Sequence, residues 1–414
     1  MATFKEIELS SGFPAPDGKR APLSARLPNF VGAPPASDEK LRGLKVAVVG
    51  CGAVGGSIAL GLARLQIHTL WLFDKGKFKA ESILTHCVFP GDISGPKASI
   101  LGRRVKHISP ATRVFVFDGP VESSDLRVMA DADLTVLATD NLFAEIEVGQ
   151  RCLWLGQPLV QAAVHGETLV AQIRFFANRS NGPCPACGYS QAEWQALDNQ
   201  TRYSCDALND EAADAETDGP PTMSVSFLCA MAADLALVQI LRHMLDLGSA
   251  VENNMLQYCG FDHQTIVSAL KRNRRCPCDH TAYRQATTLR AIADFTLSEL
   301  ARMAGYDTAV GLNGVSFQLG RLSFCESAAC RCMAMRPLRR FFAAGARVGR
   351  CRSCGEKIVP LPFYTHNPVP ANVIADQMER PLRELGAESA AWVKLRGPRR
   401  SMLFYSPETE RNRP

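Results

Sequence analysis

Several features are missing from this chain, and each absence narrows what it can be. No apolar run approaches the roughly 20 residues needed to span a bilayer, so no membrane partner is expected. The opening segment MATFKEIELSSGF lacks the apolar core of a secretory signal, which points to a cytoplasmic protein. Charge is nearly balanced: a formal net charge of +5 over 414 residues is small. Basic residues are not gathered around interleaved aromatics, so nucleic acid is not an expected partner either. Cysteine, by contrast, is plentiful. The chain has 15, several in close pairs, and paired thiols in a reducing compartment more often hold zinc than form disulfides. With 46% hydrophobic residues, a chain of this length can bury the cores of two or three domains.

The strongest local signal runs from Val46 to Asp74. An apolar strand, Val46 to Val49, enters the glycine turn Gly50-x-Gly52-x-x-Gly55 and leaves as a helix of Ala, Leu and Ile. A second strand, Thr69 to Phe73, then ends on Asp74. Gly50 permits the tight turn, Gly52 lets phosphate approach the backbone, and Gly55 allows close packing of helix on strand. The helix start offers free N–H groups and a positive dipole end. An acidic residue at Asp74 is positioned to accept ribose hydroxyls. The unit is a nucleotide-binding βαβ, and by itself it leaves the nucleotide undetermined.

Residues 1–42 include Gly12, Pro14, Pro16, Pro22, Pro28, Pro34 and Pro35, show no sustained periodicity and read as an irregular arm. Strands follow at Val114–Phe117, Leu134–Ala138, Pro158–Ala163 and Thr168–Phe176, separated by helix-length segments. That alternation predicts an α/β fold, a doubly wound, Rossmann-like, largely parallel sheet with helices on both faces. Ser224–Met244 reads as a long buried helix and Asn254–Leu270 as a terminal hairpin. Thr296-Leu-Ser-Glu299 is a capping box for a short helix ending near Gly305. The domain expectation is an arm at 1–42, a nucleotide domain at 43–280 and a cysteine-rich C-terminal module at 281–414.

Downstream of Asp74 the chain reads FPGDISGPKASILGRRVKHISPATRV from Phe89, and LTVLATDN ending at Asn141. These segments, in this order, resemble the ThiF/MoeB-type, ubiquitin-activating-enzyme-like superfamily. That family has an x-D-I-G-x-x-K segment, an N-P-x-V-like turn and a strand ending in D-N. The resemblance spans Leu44 to His280 and implies adenylation of a protein C-terminal carboxylate by ATP with Mg²⁺. Lys97 matches the family lysine on the ATP phosphates and Asp140 the Mg²⁺-associated aspartate. Such chemistry needs fixed positive charge against the phosphoryl oxygens. The chain departs from the family's S-N-L-x-R-Q segment: Gly76 replaces a second acidic residue, Ser82 the asparagine and Thr85 the arginine. Lys75, Lys77, Arg103 or Arg104 are alternative sources of charge. The MoeB-like branch also sends an N-terminal arginine into the partner subunit's site; Arg26 is the best-placed counterpart, with Arg20 behind it. A homodimer is the implied assembly.

Cys184-x-x-Cys187 and Cys276-x-Cys278 resemble the structural Zn²⁺ site of the superfamily, with His280 as an alternative ligand because the second pair is one residue short. Cys330, Cys332, Cys351 and Cys354 form a second set that reads as a zinc ribbon, with Cys325 able to displace Cys330. Cys205, ahead of Gly219-Pro-Pro-Thr-Met223, resembles the thioester cysteine that some family members carry in a crossover loop. Cys229 and Cys51 read as core, His86 as a surface or satisfied histidine, and Arg336–Arg352 as a solvated face.

The expected activity is activation of a ubiquitin-like modifier, loading onto Cys205 and transfer to a conjugating enzyme, in the manner of a bacterial antiviral Bil-type system. Two alternatives remain open within the family: a sulfur-carrier protein adenylyltransferase, and a degenerate subunit that binds a modifier or partner without turnover. An NAD(P)-dependent oxidoreductase would need a hydride-transfer acid/base that the sequence does not offer.

Overall fold

The computed structural model describes residues 4–8, 37–121, 124, 126–197, 224–249, 252–306, 312–318, 323–325, 358–360, 368–384 and 392–406. The chain divides into two compact units, one drawn mainly from residues 1–187 and 220–273, the other mainly from 274–410. The expected boundary after residue 280 therefore falls a few residues earlier.

The first unit is built on a nine-stranded sheet. Its strands are β1 (Lys5–Glu6), β2 (Lys45–Val49), β3 (Thr69–Asp74), β4 (Arg113–Asp118), β5 (Leu134–Leu137), β6 (Leu159–His165), β7 (Val170–Phe176), β8 (Asn254–Cys259) and β9 (Gln264–Ala269). They lie in the order β1-β4-β3-β2-β5-β6-β7-β8-β9. The centre, β4-β3-β2-β5-β6, is parallel, and β7, β8 and β9 extend it antiparallel. β2 and β5 are apolar on both faces, as central parallel strands covered by helices require.

Helices α1 (Ser37–Gly43), α2 (Ala53–Arg64), α3 (Lys97–Ile108), α4 (Leu126–Asp131), α5 (Leu142–Leu155) and α6 (Ser226–Met244) complete the unit. One core joins Val46, Val48, Leu70, Leu72, Val114 and Val136 of the sheet to Ile58 and Leu62 of α2, Leu101 of α3, and Leu228 and Ile240 of α6. α2 and α6 approach closely because Gly61 faces Leu237: a Cβ at Gly61 would stand 2.3 Å from the leucine Cδ1. Glycine there lets two apolar helices interlock.

Two expectations change. Part of the arm is regular: Lys5–Glu6 pairs antiparallel with Phe115 and Val116, and Phe4 packs edge-on against Phe73 at 5.2 Å. An edge strand this short leaves no periodicity to read. Among the described residues one helix, Ser226–Met244, is long and apolar enough by length and composition to cross a membrane. Leu228, Cys229, Ala232, Ala233, Ala236 and Ile240 are buried in the core. A small-residue helix packed on a sheet and on a second apolar helix passes the same test.

The second unit carries a five-stranded sheet in the order β10-β16-β15-β11-β14 and a two-stranded pair, β12 with β13. These strands are β10 (Arg284–Thr287), β11 (Ser316–Gln318), β12 (Ser323–Cys325), β13 (Ile358–Pro360), β14 (Val369–Pro370), β15 (Trp392–Arg396) and β16 (Ser401–Tyr405). Helix α7 (Leu297–Met303) begins on the expected capping box. The Thr296 hydroxyl accepts from the Glu299 N–H at 3.1 Å, and the Glu299 carboxylate accepts from the Thr296 N–H at 2.8 Å. Leu297, Leu300, Phe317, Val393, Leu395 and Phe404 form a separate core. Elsewhere in this unit Lys394, fully buried, meets Asp279 at 2.7 Å.

Candidate functional site

From β2 the chain winds outward to β3 and β4 on one side of the sheet, and β5 and β6 lie on the other. The crevice outside the carboxyl ends of β2 and β5 is therefore the topological switch point, where doubly wound sheets bind ligands. The glycine turn sits there. Gly50 has φ +92°, and a Cβ on it would stand 2.3 Å from the Ala138 carbonyl oxygen at the end of β5. A Cβ on Gly55 would stand 1.9 Å from the Gly50 carbonyl oxygen. Both positions exclude any side chain. Gly52, the N-cap of α2, carries no side-chain cap, so the first N–H groups of this twelve-residue helix remain available to an anion.

Asp74, at the end of β3, holds this turn in place. Its Oδ2 accepts the Cys51 N–H at 2.7 Å and its Oδ1 accepts the Gly76 N–H at 2.7 Å. Gly76, which stands where the family has a second acidic residue, lies between Asp74 and Lys97. A Cβ there would stand 3.1 Å from Asp74 Oδ1, 3.5 Å from Lys97 Cε and 3.6 Å from Lys97 Nζ. Lys97 opens α3, and its own N–H bonds to the Gly76 carbonyl at 3.0 Å. The expected lysine and acidic residue thus meet around a bare glycine beside the phosphate turn.

Asp140 is exposed on the segment between β5 and α5, two residues beyond the Ala138 that abuts Gly50. The next residue, Asn141, caps α5 by accepting the Ala144 N–H at 3.1 Å. An exposed carboxylate at this edge offers the hard oxygen donor that Mg²⁺ takes alongside water and phosphate.

The segment between β3 and α3 resolves the departures from the family pattern. Ser82 is buried and its Oγ accepts the Lys79 N–H at 3.0 Å, so it shapes a turn instead of reaching outward. Thr85 Oγ1 lies 2.8 Å from His86 Nδ1. Of the alternative cations, Arg104 pairs with Asp92 and stacks on the Phe89 ring at 4.5 Å, which occupies it locally. Of the two expectations for His86, surface or satisfied, the structure favours the second: Nδ1 is partnered by Thr85. Its ring is half-buried, packs edge-on against Phe78 at 5.6 Å and brings Nε2 to 3.6 Å from where a Gly52 Cβ would stand. Burial and the neighbouring Lys97 charge pull its pKa down to about 4, against smaller opposing effects of the Ser82 carbonyl and Glu81. The sequence singles out His86 as a surface or satisfied histidine, but its approach to Gly52 depends on a fold of the turn that spacing does not show.

Cys51 and Cys229 are buried, as expected. Burial pushes the Cys51 thiol well up, with Asp74 adding to the effect, and raises Cys229 too, so neither is a ready nucleophile. Arg26, Cys205, Cys330, Cys332, Cys351 and Cys354 lie outside the described residues.

The ligand atoms of Cys184, Cys187, Cys276 and His280 all lie within 4.8 Å of one another. The residue grouped with the three cysteines is thus His280, the alternative ligand, and not Cys278. The chain bends at Cys278, whose side chain is buried, and the residues on either side of that bend supply the two ligand atoms. The donor set suits zinc: three thiolates and an imidazole are its usual ligands, and two thiolates at about 2.3 Å from a tetrahedral ion stand about 3.8 Å apart. Cys184 and Cys187 place their sulfurs 3.8 Å apart.

The profile of the ThiF family matches residues 25–279, more than half of the chain. The chain belongs to the ThiF family. Among characterised relatives, the sulfur carrier protein adenylyltransferase of Thermus thermophilus is 23% identical, covering 59% of this chain and 84% of that protein. The SAMP-activating enzyme E1 of Haloferax volcanii is 23% identical over 59% of this chain and 83% of its own length. The ubiquitin-like modifier-activating enzyme 5 of Xenopus laevis is 24% identical over 58% of this chain and 59% of its own length. These ThiF-family relatives are named adenylyltransferases and activating enzymes. The matched span, 25–279, takes in the glycine turn, Lys97, Asp140 and the Cys184–Cys187 pair.

Proposed function

We propose that the chain adenylates the C-terminal carboxylate of a ubiquitin-like or sulfur-carrier-like protein. The carboxylate attacks the α-phosphorus of ATP, an acyl–adenylate bond forms, and the bond to pyrophosphate breaks with pyrophosphate leaving. The convergence of Asp74 and Lys97 around Gly76, beside a glycine turn that admits no side chain, carries this reading. In it the turn and the α2 N-terminus hold phosphate, Asp74 accepts ribose hydroxyls with its remaining lone pairs, and Lys97 opposes charge on the phosphoryl oxygens. Asp140 would hold Mg²⁺, which when bound shields the triphosphate. Kinship with activating enzymes of the sulfur-carrier and ubiquitin-like types supports the class of substrate.

The fuller reading adds loading of the modifier on Cys205, transfer to a conjugating enzyme, a homodimeric assembly and a role in a bacterial conjugation system. Structural zinc at Cys184, Cys187, Cys276 and His280 belongs to the same proposal. The test is ATP–pyrophosphate exchange measured with candidate ubiquitin-like and sulfur-carrier-like proteins that end in a free C-terminal carboxylate. Exchange that disappears in Lys97→Ala and Asp140→Ala supports the enzyme.

One observation favours a second reading. Ser82 and Thr85 are both turned into local hydrogen bonds, so neither supplies the charge of the family arginine. A subunit that binds the modifier without activating it would show modifier binding and no exchange. A thioester to Cys205 is tested by a reductant-sensitive adduct lost in Cys205→Ala and kept in Cys229→Ala.

A further inference from the structure

We propose that His86 is a phosphate-binding residue of this site, donating from Nε2–H to an oxygen of a triphosphate seated on the Gly50–Gly55 turn. The proposal rests on the reading of that turn as an ATP site and adds a residue that the family pattern does not supply.

Gly52 is the position where phosphate must come closest to the backbone. Among the described residues, its own chain neighbours and helix backbone aside, His86 Nε2 at 3.6 Å is the one atom within 4 Å of the place a Cβ would occupy. A phosphate oxygen lowered onto the Gly52 backbone therefore meets that nitrogen. The residue is held for this contact at three points, one through its backbone and two through its ring. The His86 N–H bonds to the Ser82 carbonyl at 2.8 Å. The ring edge packs on Phe78. Nδ1 lies 2.8 Å from Thr85 Oγ1. When the threonine hydroxyl donates to Nδ1, the proton of a neutral imidazole resides on Nε2, the atom that faces the turn.

The charges around it fit a neutral donor. Burial, with the charge of Lys97 on α3 adding to it, keeps the ring uncharged at neutral pH, against the smaller opposing effects of the Ser82 carbonyl and of Glu81 on the turn that carries His86. Lys97 thus supplies the positive charge and His86 a directed N–H. The threonine at the family's arginine position then has a function: it orients the histidine that follows it. A hydrogen bond to an ionised oxygen is among the stronger ones.

The experiment is calorimetric titration of the full chain at pH 7.5 with MgATP and, separately, adenosine. The wild-type chain, His86→Ala, His86→Gln, Thr85→Val and Lys97→Ala are compared. His86→Ala is expected to weaken MgATP by about 10- to 100-fold and leave adenosine unchanged. His86→Gln, which keeps an N–H donor, is expected to recover part of the loss, and Thr85→Val to show a smaller loss. ATP affinity retained in His86→Ala but lost in Lys97→Ala overturns the role of His86 while the nucleotide site stands. Equal loss for ATP and adenosine overturns it too, since that marks packing alone. A wild-type chain that binds no MgATP removes both readings. Should His86→Ala fail to fold, the Nε2 resonance of the wild-type imidazole decides: it moves with MgATP and not with adenosine, or the proposal fails.

Discussion

The carboxylate of Asp74 accepts the backbone N–H of Cys51 at 2.7 Å, joining the end of β3 to the middle of the glycine turn. Its other oxygen takes the Gly76 N–H at the same distance, so one side chain fixes the turn and the start of the following loop together. Asp74→Ala is expected to destabilise the first unit by about 1.5–3 kcal/mol, the usual worth of a hydrogen bond to a charged group. Asp74→Asn, which can still accept one of the two N–H groups, is expected to cost less. Urea titration followed by hydrogen exchange at Cys51 and Gly76 measures both; unchanged protection at these amides would contradict the role assigned to the carboxylate.

His86 gives the stability of the first unit a pH dependence whose sign follows from its lowered pKa. The folded value is about 4 against 6.5 for the free side chain. Above pH 6.5 both states hold a neutral ring and the full stability is present. As pH falls from 6.5 towards about 4 the unfolded chain binds a proton that the folded chain refuses, so stability is lost across that window. His243 on α6, also lowered by burial, contributes in the same direction. His86→Gln is expected to give a shallower fall over this range, with a residue left from His243. Denaturation midpoints at pH 7.0, 6.0 and 5.0 test this, and parallel curves for wild type and variant would rule it out.

Local features of the chain were readable in advance where one short segment carries the whole signal. Gly50, Gly52 and Gly55 with Asp74, the β8–β9 hairpin and the Thr296–Glu299 capping box each combine spacing and residue type within a few positions. What could not be read depends on contacts between segments. Lys5–Glu6 becomes a strand because β4 presents an open edge. That Gly76 lies between Asp74 and Lys97 is likewise visible only in the fold. His86 matters because its turn folds over Gly52. The short spacing of Cys276 and Cys278 offers His280 as a ligand, but the choice between His280 and Cys278 depends on the bend at Cys278.

Lys394 and Asp279 form a buried ion pair at 2.7 Å, with the Tyr283 hydroxyl donating to the same carboxylate oxygen at 2.8 Å. Burial, then the Asp279 charge, raises the Tyr283 phenol, which keeps it a donor. Lys394→Met leaves the carboxylate buried without its cation, and the second unit is expected to lose about 3–5 kcal/mol. Lys394→Met combined with Asp279→Asn is expected to recover a large part of that loss, because the stranded charge is gone. Hydrogen exchange along β15 and β16 reads this unit separately from the other. A double variant as unstable as the single one would show that the pair does not act through charge.

Metal analysis distinguishes His280 from Cys278 as the fourth ligand. The sulfurs of Cys184 and Cys187 stand at the separation a tetrahedral zinc imposes, and His280 joins Cys276 in completing the donor set. Cys184→Ser is expected to lower the zinc content of the purified chain by about one equivalent. His280→Ala keeps three thiolates and is expected to release zinc to a chelator faster than wild type. Cys278→Ser is expected to match wild type in both zinc content and release rate, because its sulfur is outside the cluster. Cobalt substitution adds a spectral reading: three thiolates and one imidazole give a thiolate-to-cobalt band weaker than four thiolates would. A Cys278→Ser chain that loses zinc while His280→Ala keeps it would return the fourth ligand to the cysteine.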